Sequence, residues 1–235
     1  MITLLVALQA SAWPVHAMDR PRPPIVTPAP AGAAVPAPTH AHVVFDGASL
    51  DAWWHVDSSA ARWRAVDGVL EVVPGARSLQ TRAEFGDVQL HIEWMAPTEG
   101  RDGQNFGNSG VFLMGRYEIQ VLNSHGNDTY PDGQAAAIYG QYPPLVNVSR
   151  PPGQWQTYDI IFRAPRFHAD GTVADSAVMT VFHNGVLVHD AVRLRGATTH
   201  RRQAEYAPHP PRGPIMLQDH GERVRFRNIW VREVP

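Results

Sequence analysis

The chain has 235 residues, a formal net charge of −2 at pH 7 and no cysteine. Disulfides, thiol chemistry and cysteine-type zinc sites are thereby excluded. Its basic stretches, "RRQAEY" and "RVRFR", are short and interrupted, so no surface for neutralising nucleic-acid phosphates is expected.

The opening "MITLLVALQASAWPVHA" is an apolar run too short to anchor in a bilayer, followed by small residues. Val15 and Ala17 have the spacing of a signal-peptidase site, although a positively charged leader is missing. Residues 1–17 therefore read as a signal peptide, and the mature chain is expected in the periplasm or secreted, without a membrane span. Residues 18–41, "MDRPRPPIVTPAPAGAAVPAPTHA", are proline and alanine with almost no large apolar side chains. Such a stretch buries too little surface to offset its ordering entropy and is expected to be a disordered tether. From His42 to the end, residues 42–235, the composition changes to that of one folded domain.

Strand patterns then follow one another. "HVVFDG", "WRAVDGVLEVV", "SLQTR", "DVQLHIEWMA", "SGVFLMG", "RYEIQVLNS", "QTYDIIFRA", "SAVMTVFHNGVLVHD", "PIMLQDH" and "RVRFRNIWVREV" alternate or carry β-branched runs, with Gly, Pro, Asn and Asp between them. Asp67-Gly68 and Asn184-Gly185 supply the two positive-φ positions of type I′ hairpin turns. In "DVQLHIEWMA", Val88, Leu90, Ile92 and Trp94 define a dry face; Gln89, His91, Glu93 and Met95 define a wetter one. About ten antiparallel strands and no helical stripe predict an all-β jelly-roll sandwich of two sheets.

Within "GRYEIQVLNS", Tyr117, Ile119 and Val121 point one way while Glu118 and Gln120 point the other. Burying an amide without partners costs on the order of 2–7 kcal/mol, so a carboxyl beside an amide on a central strand asks for a reason. "GPIMLQDHG" likewise puts Gln218 and His220 on one side and Asp219 on the other. Carboxyl, imidazole and amides from neighbouring strands suit a groove for a polar ligand. A structural acid paired with an arginine such as Arg116 gives the same pattern. The loops 102–110 and 123–144 contribute Asn105, Asn108, His125, Asn127, Asp128, Asp132 and Tyr139, an oxygen-rich set that suits Ca²⁺ or Asx-turns. Among the tryptophans, Trp53 and Trp54 read as the most exposed sugar-stacking pair, whereas Trp94 and Trp230 read as packing residues. No GxSxG, P-loop, GxGxxG or HExxH is present, and no second acid shares the face of Glu118 on its strand, as a conventional glycosidase pair would suggest.

The segments "FDGASLDAWW", "FGNSGVFLMGRYEIQVLNS", "AAAIYGQYPP", "PPGQWQTYDIIFRAPRF" and "GPIMLQDHGERVRFRNIWVREV" occur in the order of the 3-keto-disaccharide hydrolase family, which the chain resembles from about Val44 to Val234. The resemblance implies a concanavalin-like jelly roll acting on glycosides first oxidised at C3 by a partner sugar 3-dehydrogenase. It also implies β-elimination: a base takes the C2 proton, the glycosidic oxygen leaves C1, and water adds afterwards. On matching positions, Glu118 becomes the base candidate and His220 the acid or enolate stabiliser, with Asn108, Gln120, Tyr139 and Gln218 as sugar contacts; Trp54 joins them as a stacking platform on its residue type alone. The chain departs from the family pattern at Asn123, where Asp is common, and at "AAAIYG", which a Cys-Gly often precedes. The alternatives are a non-catalytic carbohydrate-binding module on the same fold and a conventional glycoside hydrolase.

Overall fold

Period-two alternation is realised as fifteen strands in the computed structural model, which describes residues 13–235. They are β1 (His42–Phe45), β2 (Trp53–His55), β3 (Arg64–Val66), β4 (Val69–Glu71) and β5 (Leu79–Phe85). Next come β6 (Val88–Met95), β7 (Ser109–Leu113), β8 (Tyr117–Val121), β9 (Gln156–Arg163) and β10 (Arg166–Phe167). The last are β11 (Val173–Asp175), β12 (Val178–His183), β13 (Val186–Arg193), β14 (Gly213–Leu217) and β15 (Arg225–Glu233).

Of the two large sheets one runs β13-β12-β9-β6-β15-β4-β3, with β1 also on β15, and the other runs β2-β5-β14-β7-β8; β10 and β11 form a separate two-stranded ribbon. All registered pairs in both are antiparallel, giving the jelly-roll sandwich that the strand pattern predicts, of the concanavalin-like kind that the family resemblance implies. The β3–β4 and β12–β13 turns use Asp67-Gly68 (φ 51° and 78°) and Asn184-Gly185 (φ 53° and 79°), conformations that open readily to Asn, Asp and Gly.

The core is sealed by the inward rows of the two sheets: Leu90, Ile92, Trp94, Tyr158 and Phe162 against Val111, Tyr117, Ile119, Ile215 and Leu217. Burying each such large apolar side chain contributes roughly 1.5–3 kcal/mol. Tyr158 does more than pack. Its hydroxyl reaches from β9 to the back of β8, donating to the Gln120 carbonyl and accepting from the Ala136 amide, both at 2.8 Å.

Three expectations change. Trp53 belongs to the core, wholly buried with its indole N–H on the Val44 carbonyl at 2.7 Å, because strand alternation allows only one of two adjacent indoles to face outwards. The wetter face of β6 is not wet at His91 and Glu93, which are 1 % and 2 % exposed inside an ionic network completed by β15. Residues 18–41 form almost no regular structure, yet they lie along the body as a strap. Val26 N–H donates to the Asn147 carbonyl and Asn147 N–H to the Pro24 carbonyl (both 2.9 Å). Arg150 and Asn228 hold the Ala29 and Val35 carbonyls. Backbone bonds supply the partners that composition did not reveal. The expected signal segment falls mainly on residues outside those described, and among the described residues no helix is long and apolar enough to cross a membrane.

Candidate functional site

Register places the polar residues on one outer face. Phe112 on β7 pairs with Glu118 on β8, Gly110 with Gln120, and Met216 on β14 with Phe112, so their side chains share the outer surface of the five-stranded sheet. Gln218 follows β14 directly, its N–H donating to the Gly110 carbonyl at 3.0 Å. Asp219 points away and pins the turn: its carboxylate accepts from the Arg77 and Gly221 amides, which leaves His220 exposed at the rim.

Glu118, Asn108, Gln120, Tyr139, Gln218 and His220, six of the seven residues singled out from sequence, line one cavity of about 340 Å³. Phe112, Thr198 and His200 complete it. No pattern in the sequence pointed to the last two. They come from the irregular segment 196–203, which folds over β8 and lends the Thr198 hydroxyl to the Glu118 amide at 3.0 Å. Trp54 lies elsewhere. It occupies edge strand β2, four strands from Glu118, with the Arg82 guanidinium 5.2 Å over its ring.

Glu118 is 4 % exposed, and among the described residues it makes no ion pair, Arg116 included. Burial alone pushes its carboxyl up to about 8. The Gln120 amide fits its surroundings best with nitrogen towards Glu118 Oε1 (2.8 Å) and the Ser109 carbonyl (3.2 Å), its oxygen accepting from Gln104 Nε2 at 2.9 Å. In the opposite orientation its one bond is to Asn108 Oδ1 at 3.1 Å. Gly110 makes room for this arrangement: a Cβ there would stand 2.5 Å from Glu118 Oε1. Tyr139 hydrogen-bonds Tyr130 (3.0 Å) and His200 Nδ1 (3.2 Å) through its hydroxyl, and burial raises its pKa, keeping the phenol a neutral donor.

The oxygen-rich loops do not converge as calcium ligands. Asn127 Oδ1 accepts from the Gly103 amide and Asn123 Oδ1 from the His125 amide, while Asp128 pairs with Arg22. Among the described residues no cluster of three or more His, Asp or Glu is arranged for a metal.

What the arrangement offers is a near-neutral carboxyl beside exposed imidazoles, phenols and amides, with room for a sugar. Residues 40–232 match the profile of a family described as the 3-keto-alpha-glucoside-1,2-lyase-like domain. A "3-keto-disaccharide hydrolase" of Bacteroides thetaiotaomicron is 22% identical, the match covering 80% of this chain and 77% of that protein. A crystal structure of a candidate glycosyl hydrolase from Parabacteroides distasonis superposes with TM-score 0.83 at 43% identity, covering 91% of this chain and 93% of the other. A second structure from that organism, at 24% identity and TM-score 0.60, covers 83% and 99% and shares the fold. The match over most of its length shows that the chain belongs to the 3-keto-alpha-glucoside-1,2-lyase-like family.

Proposed function

We propose that this protein cleaves the glycosidic bond of 3-keto-glycosides or 3-keto-disaccharides by elimination followed by hydration. The observation that carries the reading is a buried, cation-free carboxyl held near neutrality on the wall of a polar cavity. A ketone at C3 acidifies the C2 hydrogen. Ionised Glu118 takes that proton, the electron pair forms the enolate, and the pair then expels the glycosidic oxygen from C1, which leaves with a proton from His220. Water adds across the resulting C1–C2 double bond, so the net reaction consumes one water and releases the 3-keto sugar and the alcohol. Tyr139, Gln218 and Asn108 are the donors placed to hold the ring and its enolate oxygen.

The family membership and the relative's name support the substrate class, and a sugar 3-dehydrogenase is the class of enzyme that must supply it. A conventional glycosidase mechanism has less support, because among the described residues Glu118 is the only carboxylate lining the cavity. The test is release of the alcohol from a 3-keto-glucoside and from its unoxidised parent. Release from the ketone alone is the expected result. Cleavage of the parent at a comparable rate would overturn the elimination, and binding without cleavage of either would make the protein a binding module.

A further inference from the structure

The outer faces of the two sheets treat their polar side chains differently. On the eight-stranded sheet they are paired within the chain: Glu71 with Arg225, Glu93 with Arg227, Gln89 with Arg232 and His91 with Asp159. On the five-stranded sheet Gln80, Arg82 and Gln218 are held through their backbone, and among the described residues no hydrogen bond or ion pair occupies their side chains. Register lines these groups up with the cavity. Trp54 on β2 pairs with Gln80 on β5, Gln80 with Met216 on β14, Met216 with Phe112 on β7, and Phe112 with Glu118 on β8, so the five side chains form one row across the outer surface. Four strand-to-strand steps make the row about 19 Å long, and a pyranose unit advances a glycan by about one such step, ~5 Å. Trp54, Gln80 and Met216 are half-buried, so the row is open to solvent. The indole nitrogen of Trp54 is itself buried, which leaves carbon as the part of the ring that meets a ligand, with the exposed Arg82 guanidinium beside it.

We propose that this row is a track for further sugar units of the leaving group, with Trp54 as its far platform, and that the preferred substrate is a 3-keto-oligosaccharide of about four units rather than a disaccharide. The proposal rests on the reaction given above. In that reaction His220 protonates the leaving oxygen, and His220 follows β14, so the leaving group starts on the β14 side of Glu118, where a neighbouring lobe around Tyr130 adjoins the cavity. The next unit outwards meets Gln80 and Arg82 on β5, and the one after it meets Trp54 on β2. Met216 and the indole carbons offer apolar surface to the C–H faces of the rings, while the free amide of Gln80 and guanidinium of Arg82 are donors for their hydroxyls.

The test uses glucose di-, tri- and tetrasaccharides, α-1,4- and β-1,4-linked, oxidised at C3 of the non-reducing unit. KM is expected to fall with length in at least one series. Trp54→Ala should then raise KM for that tetrasaccharide about 3- to 10-fold, with kcat nearly unchanged and KM for the disaccharide unmoved. Trp54→Phe, which keeps a flat ring, should retain most of the gain, and Arg82→Ala, at an exposed position, should lose a smaller part of it. A KM independent of length in both series, or an equal effect of Trp54→Ala on disaccharide and tetrasaccharide, overturns the track and leaves the reaction standing. Calorimetry with the unoxidised tetrasaccharides separates the opposite case: if no 3-keto-glycoside is turned over, yet the tetrasaccharide binds more tightly than the disaccharide and Trp54→Ala removes the difference, the reaction falls and the track stands.

Discussion

Glu93 and Glu118 occupy matching situations on the two sheets: each lies mid-strand on an outer face, and each is nearly sealed from solvent, at 2 % and 4 % exposed. Burial alone would push both carboxyls up. At Glu93 it is overcome by attraction to His91, 3.8 Å away, and by bonds from Asn228 (2.9 Å) and Arg227 (2.6 Å), which bring the group down to about 2. Arg227 is itself stacked over Trp155 at 4.0 Å, and His91 is held at about 9 by Asp159 and Glu93 despite its burial. At Glu118 nothing cationic answers, and the carboxyl stays near 8. One sheet pairs its buried acid with cations of the chain; the other leaves its buried acid without one among the described residues. Burial of an acid therefore says little until its partners are counted.

Replacing the unanswered acid should separate the two faces most sharply. Glu118→Gln is expected to lower turnover of a 3-keto-glucoside about 10²- to 10⁴-fold. In the wild-type protein kcat/KM should climb with pH and level off above about 8, as the base form fills. The same substitution should raise Tm at pH 9: a carboxyl whose folded pKa is raised gives its full stability contribution below about 4.5 and loses it as pH rises through about 8, whereas the amide has no charge to bury. A Tm unchanged at pH 9 would mean that the carboxyl is solvated.

Gly110→Ala sharpens the comparison by moving the acid instead of removing it. The added methyl meets Glu118 Oε1 and a Phe112 ring carbon at 2.5 and 2.7 Å, so the carboxyl must shift. A displacement of about 1 Å should cost on the order of 10²-fold in kcat, read in single-turnover reactions, with Tm falling only modestly. Tyr158→Phe asks how far the cleft depends on the core behind it. Losing the hydroxyl removes the second partner of the Ala136 amide and of the Gln120 carbonyl, which still bond each other at 2.9 Å, a cost of about 0.5–1.5 kcal/mol in urea unfolding.

His91→Gln should have the smallest effect, confined to stability. Glu93, with its folded pKa lowered, contributes above about 4.5 and loses that contribution as pH falls towards 2. His91, raised, contributes below about 6.5 and loses it as pH climbs through about 9. The contribution of this pair should thus be complete between about pH 4.5 and 6.5, superimposed on the decline due to Glu118, and His91→Gln should remove that part of the Tm profile while leaving kcat alone. Loss of activity instead would place the ionic network in the mechanism.

The cleft was legible in the sequence wherever strand period carried it. Glu118 and Gln120 face one way because Tyr117, Ile119 and Val121 must face the core, and Gln218 and His220 follow from the same alternation after β14. Thr198 and His200 were not, since an irregular segment has no period to read and reaches the site through long-range bonds such as Thr198 N–H to the Arg116 carbonyl. The strap was misjudged for a related reason. Its proline and alanine bury little, but its backbone carbonyls and amides find partners on Asn147, Arg150 and Asn228, none of which composition can reveal. Trp54 was placed in the site on chemistry alone, and the sheet order sets it four strands away.

The phenol of Tyr158 bolts the strand bearing Glu118 to the opposite half of the sandwich, so that strand has little freedom to adjust. On the proposed function, accommodation of different leaving groups would fall to the irregular stretches around Tyr130, Tyr139 and His200, which line the adjoining lobe and can be rewritten by insertion or exchange without disturbing β8. A fixed acid beside exchangeable walls would, on that reading, let the set of cleaved bonds drift while proton abstraction stays put.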